Sequence, residues 1–311
     1  MIGGTMTSRV KHLLRTADDR FTGLDRFPYE PRYLDADGQR VHYVDEGPAG
    51  APPVLLVHGW PSWSYLWRNV IPPLLTARRR VVAADLFGFG RSDKPASRED
   101  VAVGDQVRCL RCLVSTLGLT GATLVVHDWG GLVGLRVAAE QPDRFAAVVA
   151  VNALLPTGDR APGDRFLAWQ WSTQTGDQFS AGEVIAQGTG GELPDEVLDA
   201  YDAPFDPERL GGDEPLDAAA REFPMLIPTR PENPESQGNR DAWAVFGAWT
   251  KPFVALWSDD NPVVGGGDRF WHEVPGAAGQ AHVTVQEESL YLVEDHPELV
   301  TEAVLGLSPD A

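Results

Sequence analysis

The sequence predicts an α/β fold: a mainly parallel, doubly wound sheet with a helical segment inserted into it. Three observations carry this. Short apolar runs, Val54-Leu55-Leu56-Val57, Arg80-Val81-Val82-Ala83-Ala84-Asp85, Leu124-Val125-Val126 and Phe145 to Val151, read as strands buried on both faces. Apolar residues at helical spacing lie between them, as at Asp105 to Leu117. From Pro156 to about Trp249 the alternation stops, and helical pieces are separated by Gly188 to Gly191, Gly211-Gly212 and prolines up to Pro234.

In chain order, Arg15 to Tyr33 is polar and broken by Pro28 and Pro31, which reads as an irregular arm over the domain. Val41 to Asp45 alternates like an outer strand. The run Val54 to Val57 ends at His58-Gly59-Trp60-Pro61 and leads into an aromatic-rich helix, Tyr65 to Leu75. The loop Leu86 to Asp93 contains G-x-G but lacks the third glycine and the helix of a dinucleotide site, so that reading is rejected. After the insertion, Pro252 to Trp257 and His282 to Val285 read as strands and Pro297 to Leu307 as a final helix. The expected division is a core of residues 1–155 and 250–311 with a helical cap of residues 156–249.

Composition excludes several classes. A formal charge of −19 over 311 residues disfavours nucleic acid and anionic membrane surfaces, both of which attract Lys and Arg. No run of apolar residues is long enough to span a membrane, and Met1 to Val10 lack the apolar core of a signal peptide, so the cytoplasm is the expected compartment. Cys109 and Cys112 sit in a helical pattern without a preceding strand or turn and read as core or partly exposed thiols. No H-x-x-x-H or H-x-H pair occurs, so neither a metal nor an organic cofactor is expected.

The chemistry centres on Leu124-Val125-Val126-His127-Asp128-Trp129-Gly130-Gly131-Leu132-Val133. A buried strand stops at His127, and Gly130-Gly131 open a helix running to Gln141. A side chain at such a turn is held out at the sheet's edge, facing the positive end of the helix. This is a nucleophile elbow with Asp128 as nucleophile. A carboxylate there suits attack on an sp³ carbon, because the ester it forms can be hydrolysed.

The chain resembles the haloalkane dehalogenases, α/β-hydrolases related to epoxide hydrolases, from Arg15 onward. The resemblance rests on His58-Gly59-Trp60-Pro61-Ser62-Trp63-Ser64-Tyr65, on Phe87-Gly88-Phe89-Gly90-Arg91-Ser92-Asp93-Lys94-Pro95 and on His127-Asp128-Trp129-Gly130-Gly131. It implies an α/β-hydrolase fold and an oxyanion hole made by the backbone N–H groups of Trp60 and Trp129. It also implies indole N–H groups that hold the departing halide, from Trp129 and from Trp169 in Phe166-Leu167-Ala168-Trp169. Packing within the cap is an equal alternative for Trp169.

Two positions depart from the pattern. The family's catalytic His resembles part of G-H-F-x-x-E-D, and the matching Ser289-Leu290-Tyr291-Leu292-Val293-Glu294-Asp295 puts Leu290 there. The acid that orients it should precede a proline after Trp257, where the chain reads Asn261-Pro262. His58, His127, His272, His282 and His296 each read as structural. The expected pocket, lined by Trp60, Trp129, Trp169, Phe166, Leu290 and Asn261 around Asp128, takes a small lipophilic molecule. The favoured expectation is a non-hydrolytic enzyme of secondary metabolism acting on a bulky lipophilic or aromatic substrate (epoxide opening, cyclisation or carbon–carbon bond formation), with Asp128 as general acid/base. The alternatives are a dehalogenase or epoxide hydrolase with a relocated base, and a protein that only binds hydrophobic ligands. Oligomeric state is open.

Overall fold

A computed structural model of the chain describes residues 12–175, 179–205, 216–261 and 263–307. Met1 to Val10, Gly211-Gly212 and Pro262 lie outside the described residues. The main sheet has eight strands: β1 (Arg32–Ala36), β2 (Gln39–Glu46), β3 (Pro53–Val57), β4 (Arg80–Ala84), β5 (Ala122–His127), β6 (Phe145–Val151), β7 (Phe253–Ser258) and β8 (Val283–Val285). Their order is β8-β7-β6-β5-β3-β4-β2-β1. All neighbours from β8 to β4 run parallel, while β2 is antiparallel to β4 and β1 to β2. The continuous apolar runs are the inner strands: Leu124, Val125 and Val126 of β5 and Leu55 and Leu56 of β3 are fully buried, as strands covered on both faces must be.

Helices α1 (Ile71–Thr76), α2 (Val103–Thr116) and α3 (Trp129–Glu140) follow β3, the short pair Lys94–Pro95, and β5. Among the described residues, five helices lie between β6 and β7: α4 (Asp164–Ser172), α5 (Ala181–Gly188), α6 (Asp195–Asp202), α7 (Ala218–Leu226) and α8 (Ser236–Phe246). Helices α9 (Leu292–Asp295) and α10 (Pro297–Gly306) close the chain. The strand order reverses at β3, which sits between β4 and β5, so the C-terminal ends of β3 and β5 lie side by side at the switch point. Open α/β sheets bind ligands there.

Two elements differ from the sequence reading. Arg32–Ala36, whose first two residues read as the end of an irregular arm, pairs with β2, with Leu34 opposite Val41. It is an edge strand with only Ala36 buried, so its alternation is faint. The helix expected over Tyr65 to Leu75 is a 3-10 turn, Ser64–Asn69, followed by α1. Pro72 and Pro73 sit in the first turn of α1, where a missing N–H costs nothing, and so they start a new helix. Cys109 and Cys112 lie on α2, buried and partly buried respectively, and the Cys109 thiol donates to the Gln39 side-chain carbonyl at 3.0 Å. No helix among the described residues is long and apolar enough to cross a membrane.

Candidate active site

Asp128 forms the turn between β5 and α3, with φ +47° and ψ −117°. A non-glycine residue in this region is strained, and such strain persists only where surrounding contacts over-determine it. Here the Asp128 N–H donates to the Val151 carbonyl at 3.1 Å, and the Gly131 N–H donates to the Asp128 carbonyl at 2.9 Å. Gly130 is required by close approach, since a Cβ on it would lie 2.2 Å from the Val57 carbonyl oxygen at the end of β3. The turn projects the carboxyl in front of α3, whose positive end favours negative charge.

The Trp60 N–H donates to Asp128 Oδ2 at 3.0 Å. Burial pushes the Asp128 carboxyl up to about 7, while the backbone N–H groups of Trp129 and Trp60 pull the other way. Its remaining exposure is to an apolar cavity of about 240 Å³, lined also by Trp129, Leu132, Phe166, Trp169 and Leu290. The buried Trp129 Nε1 has no hydrogen-bond partner among the described residues. A buried N–H without an acceptor is costly, and Trp129 lines the cavity in which a ligand would supply one. The Trp60 indole is engaged, donating to the Ala220 carbonyl at 2.6 Å. Trp169 lies edge-on to Trp60, with ring centres 5.6 Å apart.

A second, more polar cavity of about 460 Å³ is lined by residues including Trp60, Trp169, Asn261, Glu288, Leu290 and Tyr291. Trp169, Val263 and Leu290 line both cavities and form the partition between them. Asn261 therefore belongs to the polar cavity, not to the one over Asp128. Its side-chain carbonyl accepts from the N–H groups of Val263 at 2.9 Å and Val264 at 3.2 Å, and its amide donates to the Glu288 carbonyl at 2.7 Å.

No histidine among the described residues lines either cavity. His127 Nε2 lies 3.0 Å from the Leu290 carbonyl, and His58 Nε2 accepts from the Leu86 N–H at 3.0 Å. His282 Nδ1 accepts from the Ala255 N–H at 3.0 Å, and His296 lies between Glu287 and Glu298. His272 is exposed, with its ring centre 4.5 Å from that of His282. Among the described residues no group of carboxylates, histidines or cysteines could hold a metal.

Residues 52–268 match a protein family described as alpha/beta hydrolase fold. A haloalkane dehalogenase of Psychrobacter cryohalolentis is 47% identical over 304 residues, covering 96% of this chain and 98% of that protein. One of Mycolicibacterium paratuberculosis is 41% identical, covering 95% and 98%. The tetrameric structure of the haloalkane dehalogenase DpaA from Paraglaciecola agarilytica superposes with a TM-score of 0.86 at 29% identity, covering 94% of this chain and 98% of that one. The chain belongs to the haloalkane dehalogenase family of the α/β-hydrolase fold.

Membership corrects the expected function. Relatives at 41–47% identity over nearly the whole chain carry the name haloalkane dehalogenase, which overturns the expectation of a non-hydrolytic enzyme of secondary metabolism and favours the dehalogenase alternative.

Sequence reasoning also passed over residues at the site around Asp128. Asn152, at the end of β6, lines the cavity over Asp128 and donates its amide to the carbonyls of Ser289 and Leu290, each at 3.0 Å. Its place at a strand's C-terminal end beside β5 was the available signal. Tyr291 donates its hydroxyl to the Trp60 carbonyl at 3.1 Å. Its signal was a Tyr where the family pattern has Phe.

Proposed function

We propose that this chain dehalogenates small haloalkanes by nucleophilic displacement at Asp128. The supporting observation is the pairing, in one small apolar cavity, of a carboxylate held by the Trp60 N–H and an indole N–H of Trp129 that lacks a partner. An Asp128 oxygen attacks the carbon bearing the halogen. The carbon–oxygen bond forms as the carbon–halogen bond breaks, and the halide leaves toward the Trp129 N–H, with Trp169 on the same wall. Phe166, Leu132 and Leu290 enclose the alkyl group. The helices between β6 and β7 serve as the cap over this cavity.

The names of the relatives favour net hydrolysis, in which water attacks the ester at the Asp128 carboxyl carbon and releases the alcohol. The oxyanion formed there lies on the backbone N–H groups of Trp60 and Trp129. Leu290 presents only carbon to this ester, so the attacking water meets no imidazole. Displacement is then the fast step and ester hydrolysis the slow one. The experiment is halide release from 1-bromobutane and 1,2-dibromoethane, with Asp128→Asn as control. A burst of about one halide per chain followed by slower turnover supports the reading. No halide release from a panel of short bromoalkanes rejects it.

A further inference from the structure

We propose that Tyr291 is a positioning residue for Asp128: its hydroxyl anchors the carbonyl of Trp60 and so keeps the Trp60 N–H on the carboxylate. Its consequence for catalysis rests on the function proposed above; its consequence for the carboxyl itself does not.

Trp60 has three polar anchors. Its indole is pinned to the Ala220 carbonyl at 2.6 Å, its N–H reaches Asp128 Oδ2 at 3.0 Å, and its carbonyl accepts the Tyr291 hydroxyl at 3.1 Å. Tyr291 is itself immobilised. It is fully buried, its ring centre lies 5.7 Å from that of His127, and the N–H groups of Leu290 and Tyr291 both donate to the Gly188 carbonyl, at 2.8 and 3.3 Å. Gly188, the last residue of α5, lets the ring approach the backbone closely, since a Cβ there would sit 2.6 Å from the phenol ring. A buried hydroxyl must find an acceptor, and the Trp60 carbonyl is the one it has. Phe keeps the ring at this position and deletes only the hydroxyl.

The charge environment makes the effect measurable. The titratable groups around the elbow are His58, His127 and Tyr291, all buried, and the exposed Arg160 lines the cavity over Asp128. Burial lowers both histidines, and burial together with Asp128 raises the phenol, so His58, His127 and Tyr291 are uncharged near neutral pH. The charged form of Asp128 is favoured by the backbone N–H groups of Trp129 and Trp60. Loosening one of these donors moves the carboxyl upward.

The test is Tyr291→Phe, with the Asp128 carboxyl titrated by ¹³C NMR (assigned with Asp128→Asn), together with thermal melting and the halide burst. The expected result is an upward shift of the Asp128 midpoint by about half a unit or more, with a severalfold slower burst of unchanged amplitude at pH 7. Tyr201→Phe, which removes another buried hydroxyl from the Glu294 carboxylate on α9, should lower the melting temperature without moving Asp128. An Asp128 midpoint unchanged in Tyr291→Phe overturns the proposal, whatever happens to melting. A shifted midpoint in proteins that release no halide keeps the positioning role and rejects the dehalogenase reading.

Discussion

The side-chain amide of Asn261 donates to the carbonyl of Glu288 at 2.7 Å, two residues before Leu290. A carboxylate cannot make this bond. Asn261 therefore does more than fill an acid position: it ties the turn after β7 to the loop that carries Leu290. Asn261→Asp alone loses the donor and sets a negative charge against the Glu288 carbonyl. The expected cost is about 1–3 kcal/mol of stability at neutral pH, read by urea unfolding.

Installing both missing groups should change the kinetics. Leu290→His with Asn261→Asp supplies a base and its orienting acid beside Asp128, and steady-state halide release is expected to rise at least about tenfold over the unaltered protein. The burst rate constant, which reports displacement, should change much less. Leu290→His alone should give a smaller gain, because Asn261 offers no charge to hold the imidazole.

The nucleophile must be ionised to attack, and Asp128 is pushed up to about 7 by burial. The single-turnover rate of halide release should therefore rise with pH and level off above about 8. Stability runs the opposite way. A carboxyl raised in the folded state favours folding fully below its unfolded value of 3.8, and this contribution is lost as pH rises through about 7. Asp128→Asn removes this dependence, so it should melt above the unaltered protein at pH 8 and approach it at pH 4.

Trp129 Nε1 is the unpartnered donor in the cavity over Asp128. Trp129→Phe keeps an aromatic ring but deletes the N–H. A hydrogen bond to a charged group contributes about 1.5–3 kcal/mol, so bromide affinity should fall roughly tenfold or more, measured by quenching of the remaining tryptophan fluorescence.

Arg68 and Glu294 form a buried ion pair, at 4% and 1% side-chain exposure, with contacts of 2.5 and 2.7 Å. Tyr201 of α6 donates to the same carboxylate, so the pair joins the core, α9 and the inserted helices. Glu294→Gln leaves the Arg68 charge buried without its counter-charge, at an expected cost of about 3–5 kcal/mol in unfolding free energy.

Much of the molecule was legible because its signals are local. The runs in β3 to β7 read as strands because both faces are covered, and the elbow read as a turn because Gly130 and Gly131 follow His127-Asp128-Trp129. Strand β1 was not legible, since its structure comes from pairing with β2 and not from burial of its own side chains. The apolar cavity lining expected at Phe166, Trp169 and Leu290 is found over Asp128. Asn261 could not be placed from sequence, because the partition by Trp169, Val263 and Leu290 joins residues nearly a hundred positions apart. The same holds for Tyr291, whose hydroxyl meets a backbone carbonyl 231 residues away.

The most direct measurement of the central claim is a pre-steady-state reaction of this protein with excess 1-bromobutane at pH 8, following bromide release and intact protein mass together. Displacement at Asp128 predicts about one bromide per chain in the burst, a butyl group added to the protein in the same phase, and neither in Asp128→Asn. Bromide released without any mass increase, or released equally by Asp128→Asn, would contradict a covalent displacement at this carboxylate.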